Sequence, residues 1–273
     1  MNVGEAIREA AARLSATSDT ARLDAELLMA HALGTDRSAM LLRAMTGPAP
    51  AEFGALVERR EHREPVAYIL GEAEFYGRSF VVRPGVLIPR GDSETVVDAA
   101  LDLLGNEGRI LDLGTGSGAL LLTILAERPA MTGVGIDTSL AALPVAALNA
   151  ARLDLEDRAH ILRGDWGEAG LAEDLGRFDL VISNPPYVET GAVLDPDVRD
   201  HEPSSALFAG EEGLDDYRAI IPQLGKLLVP GGVAVLEIGH KQASAVGAIA
   251  RDSGFTVAVR QDLGGRDRAL LLT

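Results

Sequence analysis

The chain contains no cysteine, which excludes a disulfide framework and any thiolate metal site. Its five histidines are scattered with no ligand spacing, so metal-dependent chemistry is not expected. Lysine is almost absent as well: Lys226 and Lys241 are the only two among 25 basic residues. Against these stand 41 acidic residues, and a formal charge of −16 repels a phosphate backbone unless a local basic patch overrides it. That balance argues against direct nucleic-acid binding. No apolar run reaches the length of a membrane span, and Met1 to Leu14 is amphipathic with acidic residues instead of a continuous apolar leader. The chain therefore reads as a cytoplasmic protein with no membrane partner. The shortage of lysine beside abundant alanine reads as genome base composition, not function.

What is present is apolar surface in quantity. At 273 residues and 47% hydrophobic content the chain can bury a substantial core. From Val3 to about Ala67 the pattern is helical. Val3, Ile7 and Ala11 share a stripe, and Ser18 or Asp19 can cap a second helix that Gly34 ends. A third helix follows Asp36, and a fourth carries Phe53, Leu56 and Val57 beyond the breaks at Pro48 and Pro50. From Pro65 to Ile88 the signal turns to β, with Tyr68 to Gly71, Glu74 to Gly77 and Phe80 to Val82 reading as a hairpin linker. A helix then follows, capped by Asp92 or Ser93. Strands and helices alternate after it as in a doubly wound α/β sheet. Strands are expected at 109–113, 133–137, 159–163, 179–183, 233–238, 255–259 and 269–272. A helix is expected over Leu214 to Leu228, with Pro230-Gly231-Gly232 turning the chain after it. The domains expected are 1–70, 71–90 and 91–273.

The first expected strand ends in Asp112-Leu113-Gly114-Thr115-Gly116-Ser117-Gly118. Alternate glycines admit a ligand close to the backbone, and the next helix offers free N–H groups. The spacing is G-x-G-x-G, not the dinucleotide G-x-G-x-x-G, which favours S-adenosylmethionine over a nicotinamide cofactor. Asp137 ends the second strand about 20 residues later, where it can accept from ribose hydroxyls or cap the next helix. Gly164-Asp165-Trp166 ends the third strand. The chain's single tryptophan, Trp166, suits either a cover for a flat base, with Asp165 accepting from an exocyclic amine, or core packing. The fourth strand leads into Asn184-Pro185-Pro186-Tyr187. Two prolines cannot continue a sheet, and the stretch presents the Asn184 side chain and the Pro185 carbonyl as fixed acceptors for an NH2 group. Beside a methyl donor, that group becomes a methyl acceptor. Tyr187 contacts the substrate or packs.

Three readings fit these residues: an amide or amine methyltransferase, an N6-adenine DNA methyltransferase, and a donor-binding scaffold. The acidic charge and the lack of a target-recognition domain weigh against the second, and the complete crevice against the third.

Further motifs narrow the choice by resemblance. Phe75-Tyr76-Gly77, Ile88-Pro89-Arg90 with Glu94, the 112–119 turn, Gly164-Asp165-Trp166, Asn184 to Tyr187, His201-Glu202-Pro203, Gly213-Leu214-Asp215 with Tyr217-Arg218, and Asp262-Leu263 with Gly265 to Arg268 resemble the PrmC/HemK methyltransferases. The resemblance implies a Rossmann-like class I methyltransferase domain with a seven-stranded sheet, preceded by a small all-helical domain and a β-hairpin linker. It implies S-adenosylmethionine as cofactor, held by Gly114, Thr115, Gly116, Ser117, Gly118, Asp137, Asp165, Trp166 and Asn184. Catalysis falls to Asn184, Pro185, Pro186 and Tyr187. The implied substrate is the glutamine of a Gly-Gly-Gln motif in class I peptide chain release factors, docked by the helical domain onto a monomer. Gly91 and Ser93 depart from the family's usual Pro and Thr.

Overall fold

The computed structural model describes residues 1–168 and 170–273. In chain order its elements begin with α1 (Val3–Leu14), α2 (Ala21–Ala32), α3 (Arg37–Arg43), α4 (Phe53–Glu61) and α5 (Val66–Leu70). The hairpin β1 (Glu72–Phe75) and β2 (Arg78–Val81) follows, then α6 (Glu94–Leu103), β3 (Glu107–Leu113), α7 (Ala119–Glu127), β4 (Ala130–Asp137), α8 (Ala142–Arg152), β5 (Ala159–Arg163), α9 (Leu171–Leu175) and β6 (Phe178–Ser183). The remainder is α10 (Pro196–His201), α11 (Asp215–Ile220), α12 (Leu224–Leu227), β7 (Leu228–Glu237), α13 (Ala243–Asp252), β8 (Val257–Gln261) and β9 (Asp267–Leu272). Contacts divide the chain into two units. One is Met1–Glu72 with Leu194–Glu202, the other Ala73–Val193 with Pro203–Thr273.

The first unit is a helical bundle whose core includes Val3, Ile7, Leu14, Leu28, Met29 and Met40, all fully buried. Local chemistry sets its helix starts. Asn2 and Glu5 form a reciprocal capping box on α1, and the Asp36 carboxylate accepts from Ala39 N–H at 2.8 Å on α3. Ser18 and Asp19, expected as caps of α2, do not cap it: Thr20 holds that place and no side chain bonds the free N–H groups. The Ser18 and Thr20 hydroxyls instead donate to the buried Asp24 carboxylate at 2.7 and 2.8 Å. Arg60 completes this cluster, its Nε 2.7 Å from Asp24 and its Nη1 2.6 Å from Asp197. Asp197 belongs to the 194–202 segment, where Asp195 caps α10 and Pro196 sits in its first turn.

In the second unit the seven strands lie in the order β5-β4-β3-β6-β7-β9-β8. β5 to β7 run parallel, and β9 is antiparallel to both β7 and β8. Residues 110–113 of β3 and 180–183 of β6 are buried on both faces, because helices cover both sides of the sheet. Strand order reverses between β3 and β6, which opens a crevice beyond their carboxyl ends. That crevice is where the Gly-rich turn and the Asn-Pro-Pro-Tyr stretch meet.

Four local expectations are corrected. Tyr68 to Leu70 are helical, because Pro65 fixes φ at the start and Gly71, at φ 78°, ends a turn of α5. The helix expected over Leu214–Leu228 is interrupted by a 3-10 turn at Ile221–Gln223, where Pro222 has no N–H to donate. Pro230 to Gly232 do not turn the chain but lie inside β7, opposite a register break between Phe178 and Leu180. Neither Asp92 nor Ser93 caps α6: Gly91–Ser93 form a 3-10 turn, and the Ser93 hydroxyl is engaged elsewhere.

Candidate active site

A cavity of roughly 290 Å³ opens at the carboxyl ends of β3, β4 and β6. Of the residues expected there, Gly114, Thr115, Gly116, Ser117, Asp137, Asp165, Trp166, Asn184 and Pro186 line it. Gly118, Pro185 and Tyr187 are not among the lining residues. Gly118 adopts φ 84° to start α7, and a Cβ there would meet Leu122 at 2.8 Å, so its glycine serves packing. Gly114 has φ 77°, and a Cβ on it would press on the Trp166 ring at 3.1 Å. The indole therefore lies over the turn itself. Its Nε1–H donates to Asp216 at 3.0 Å, which fixes the ring, and Gln223 donates to the Trp166 backbone carbonyl at 2.6 Å, which holds the chain beneath it.

Asp137 ties the turn to the end of β4. One carboxylate oxygen accepts from Gly116 N–H and the other from Ser139 N–H, both at 2.8 Å. Each oxygen retains a lone pair, so the group still has acceptor capacity toward a hydroxyl in the cavity. Asp165 accepts from Gly167 N–H at 2.7 Å through one oxygen.

Asp112, on β3 beneath the turn, is buried. One oxygen accepts from the Thr115 hydroxyl at 2.7 Å, and the other has no partner among the described residues. Burial chiefly, with nearby Asp137 adding and the Thr115 bond opposing, pushes its carboxyl up to about 7 from 3.8. The folded state thus holds a proton that the unfolded state releases across this interval. The stabilising contribution of Asp112 is complete below about pH 4 and is lost as pH rises to about 7. Glu237, raised from 4.5 to about 7 by burial, acts in the same sense. Accordingly, Asp112→Asn is expected to make the fall of melting temperature between pH 4.5 and 7 shallower; an unchanged slope would refute the assignment.

At the end of β6 the Ser183 hydroxyl donates to the Leu113 carbonyl at 2.6 Å, locking the strand end to β3 just before Asn184. The Asn184 amide nitrogen donates to Ser93 Oγ at 3.3 Å. The Tyr187 hydroxyl donates to Glu237 Oε1 at 3.2 Å. Burial and the adjacent Glu237 carboxyl raise the Tyr187 phenol well above its usual range, so it stays protonated.

Ser93, Asp216 and Glu237 did not emerge from sequence reasoning as site residues. Ser93 was read as a cap, Asp216 sits beside the Gly213-Leu214-Asp215 motif, and Glu237 is one acid at the end of an apolar strand.

The cavity suits S-adenosylmethionine. The carboxylates of Asp137 and Asp165 in its lining disfavour a pyrophosphate and favour a donor carrying a sulfonium and an ammonium group. The turn glycines leave its backbone accessible, and the Trp166 indole gives a flat apolar wall. A seven-stranded sheet with this turn at its switch point and a pinned asparagine at the next strand end defines a Rossmann-like, S-adenosylmethionine-dependent methyltransferase.

Comparison with known proteins gives the family. The PrmC N-terminal domain matches residues 5–71, and the methyltransferase small domain matches residues 93–199. The release factor glutamine methyltransferase of Caulobacter vibrioides is 43% identical over 93% of this chain and 89% of its own length. That of Rhodospirillum rubrum is 44% identical over 92% and 78%, and that of Cereibacter sphaeroides 43% over 98% and 97%. The chain belongs to the release factor glutamine methyltransferase family. A methyltransferase structure from Pyrococcus furiosus, 17% identical over 72% of this chain and 89% of that one, superposes with a TM-score of 0.55 and shares the fold.

Proposed function

We propose that this protein methylates the side-chain amide nitrogen of the glutamine in the Gly-Gly-Gln motif of class I peptide chain release factors. The observation that carries the reading is Asn184. Its NH2 is held by Ser93, so its carbonyl oxygen is the atom left to meet a substrate. An amide nitrogen is a poor nucleophile because its lone pair is delocalised. When bound, S-adenosylmethionine supplies a methyl group activated by its positively charged sulfur. The Asn184 oxygen and the Pro185 carbonyl accept the two N–H bonds of the glutamine amide. They orient its nitrogen and stabilise the positive charge that grows on it. After transfer the nitrogen loses its proton to water, so no dedicated base is required.

Asp137 serves the donor more than the chemistry. Asp137→Ala is expected to raise the donor Kd by about tenfold to a hundredfold, with a smaller change in kcat at saturating donor. Donor titration by calorimetry measures the first, and an unchanged Kd would remove Asp137 from the donor site.

The cytoplasm is the proposed compartment, and a folded release factor the proposed partner of a monomeric enzyme. No helix among the described residues is long and apolar enough to cross a membrane. The net charge of −16 agrees with a protein substrate rather than a nucleic acid. The test is mass spectrometry of a release factor incubated with the protein and donor. One added methyl group is expected on the Gly-Gly-Gln peptide, and none when that glutamine is replaced by asparagine. Labelling that persists in the variant would sink the reading.

A further inference from the structure

Asn149, on α8, is the one amide side chain that is fully buried among the described residues, and it takes no part in the steps above. Burying a primary amide is unfavourable unless its polar atoms are bonded, and here the oxygen and both N–H bonds are engaged. Oδ1 accepts from Val81 N–H at 2.7 Å, while Nδ2 donates to the Val81 carbonyl at 3.0 Å and to the Ser117 carbonyl at 2.8 Å. Val81 ends β2, and Asn149 meets both of its backbone groups as a residue of a neighbouring strand would. Its remaining N–H crosses to the Gly-rich turn. Ser117 stands there between Gly116, at φ 56°, and Gly118, at φ 84°, so the backbone has the freedom of glycine on either side. Hydrogen bonds must hold such a turn. The Thr115–Gly116 peptide is bonded at both groups, its carbonyl to Gly118 N–H at 2.7 Å and its N–H to Asp137 at 2.8 Å. The Ser117–Gly118 peptide is bonded at both as well, its carbonyl by Asn149. Between them, the Gly116–Ser117 peptide has neither its carbonyl nor its N–H bonded to any of the described residues, and Gly116 and Ser117 both line the cavity.

We propose that Asn149 is a positioning residue for the methyl donor, which braces the turn against β2 and so holds the free Gly116–Ser117 peptide ready for it. Asp137 fixes the peptide before this one, and Asn149 fixes the peptide after it. With both neighbours immobile, the free peptide is set before the donor arrives, and no ordering cost falls on binding. Without the Asn149 amide, the Ser117 carbonyl is left buried and unpartnered. The flanking glycines then let the chain rotate to relieve it, which takes the free peptide out of place. The loss falls on donor affinity, because Asn184 stands at the end of another strand and keeps its bond to Ser93. The hairpin linker thereby gains a part in holding the donor, through the backbone of Val81.

The inference concerns the donor alone, so it stands or falls independently of the methyl acceptor. With the full-length protein, Asn149→Ala is expected to raise the Kd for S-adenosylmethionine by about tenfold in calorimetry, at a temperature where the variant is folded. With a release factor as acceptor, kcat at saturating donor should stay within about threefold of wild type. The melting temperature falls too, so a variant that only loses stability is the control. Val246→Ala, at a fully buried position on α13, should lower the melting temperature and leave the donor Kd unchanged. The second arm uses the wild-type protein. The Asn149 side-chain NH2 pair, assigned in 15N spectra by its through-space contacts with Val81 and Ser117, should move as S-adenosylmethionine is added, because one of its protons is bonded to the Ser117 carbonyl. A donor Kd within about twofold of wild type in folded Asn149→Ala, an equal rise in Val246→Ala, or an NH2 pair that the donor leaves unmoved would each overturn the proposal. Should Asn149→Ala fail to fold by circular dichroism, the wild-type spectra decide alone. If the wild-type protein methylates no release factor, the functional reading fails, while the donor Kd and the NH2 spectra still decide the role of Asn149.

Discussion

Replacing Asn184 with alanine is expected to lower turnover by at least about a hundredfold while donor affinity stays within about threefold. The asymmetry follows from what the side chain does. In the proposed reaction its carbonyl oxygen makes its strongest interaction when positive charge builds on the substrate nitrogen, so its loss raises the barrier more than it weakens the ground state. The other cavity residues proposed to hold the donor, the Gly114 to Ser117 turn, Asp137 and Trp166, stay in place. Ser183 still bonds Leu113, so the strand end does not collapse. Single-turnover rates at saturating donor, with a parallel donor titration, measure the two effects. Equal losses in both would show that Asn184 chiefly binds the donor.

Arg60→Ala should destabilise the helical unit by about 3 kcal/mol, toward the lower end of the range for breaking a buried pair. The Arg60 and Asp24 side chains are 6% and 7% exposed, and Asp197 23%. Removing the guanidinium leaves Asp24 buried with only the Ser18 and Thr20 hydroxyls as donors. Those two bonds are why the loss does not reach the upper end. Asp197 loses its 2.6 Å contact, so the 194–202 segment should become the first part of that unit to exchange its amides. Urea unfolding and hydrogen exchange at Val198 and Glu202 check both claims, and an unmoved midpoint would refute the first. Lysine is not an adequate replacement, because one ammonium cannot span both carboxylates as the planar guanidinium does.

Much of this architecture was legible in the chain because the central strands are buried on both faces. Runs such as Ile110 to Leu113 and Leu180 to Ser183 leave little choice of element, and the glycines at 114, 116 and 118 fixed where β3 had to end. Errors arose where one residue type serves two purposes. Ser93 reads as a cap because serine ordinarily binds free helix N–H groups, but its hydroxyl oxygen accepts from the Asn184 amide across the fold. Ser18 misled in the same way, its hydroxyl serving Asp24. Tyr68 to Leu70 is too short a run for periodicity to separate strand from helix. In the sequence Asp112 is only the residue that opens the Gly-rich stretch. Its burial, and so its raised pKa, belongs to tertiary packing that no local pattern encodes.

The 194–202 segment carries a consequence for how such a protein can be recombined. Its compact helical unit is assembled from two separated stretches of chain, and Arg60 joins them through Asp197. A chimera made with a single crossover near residue 72 would take Arg60 from one parent and Asp197 from the other. A hybrid that exchanges the whole helical unit and nothing else requires three exchange points, and it is the one expected to keep a native bundle.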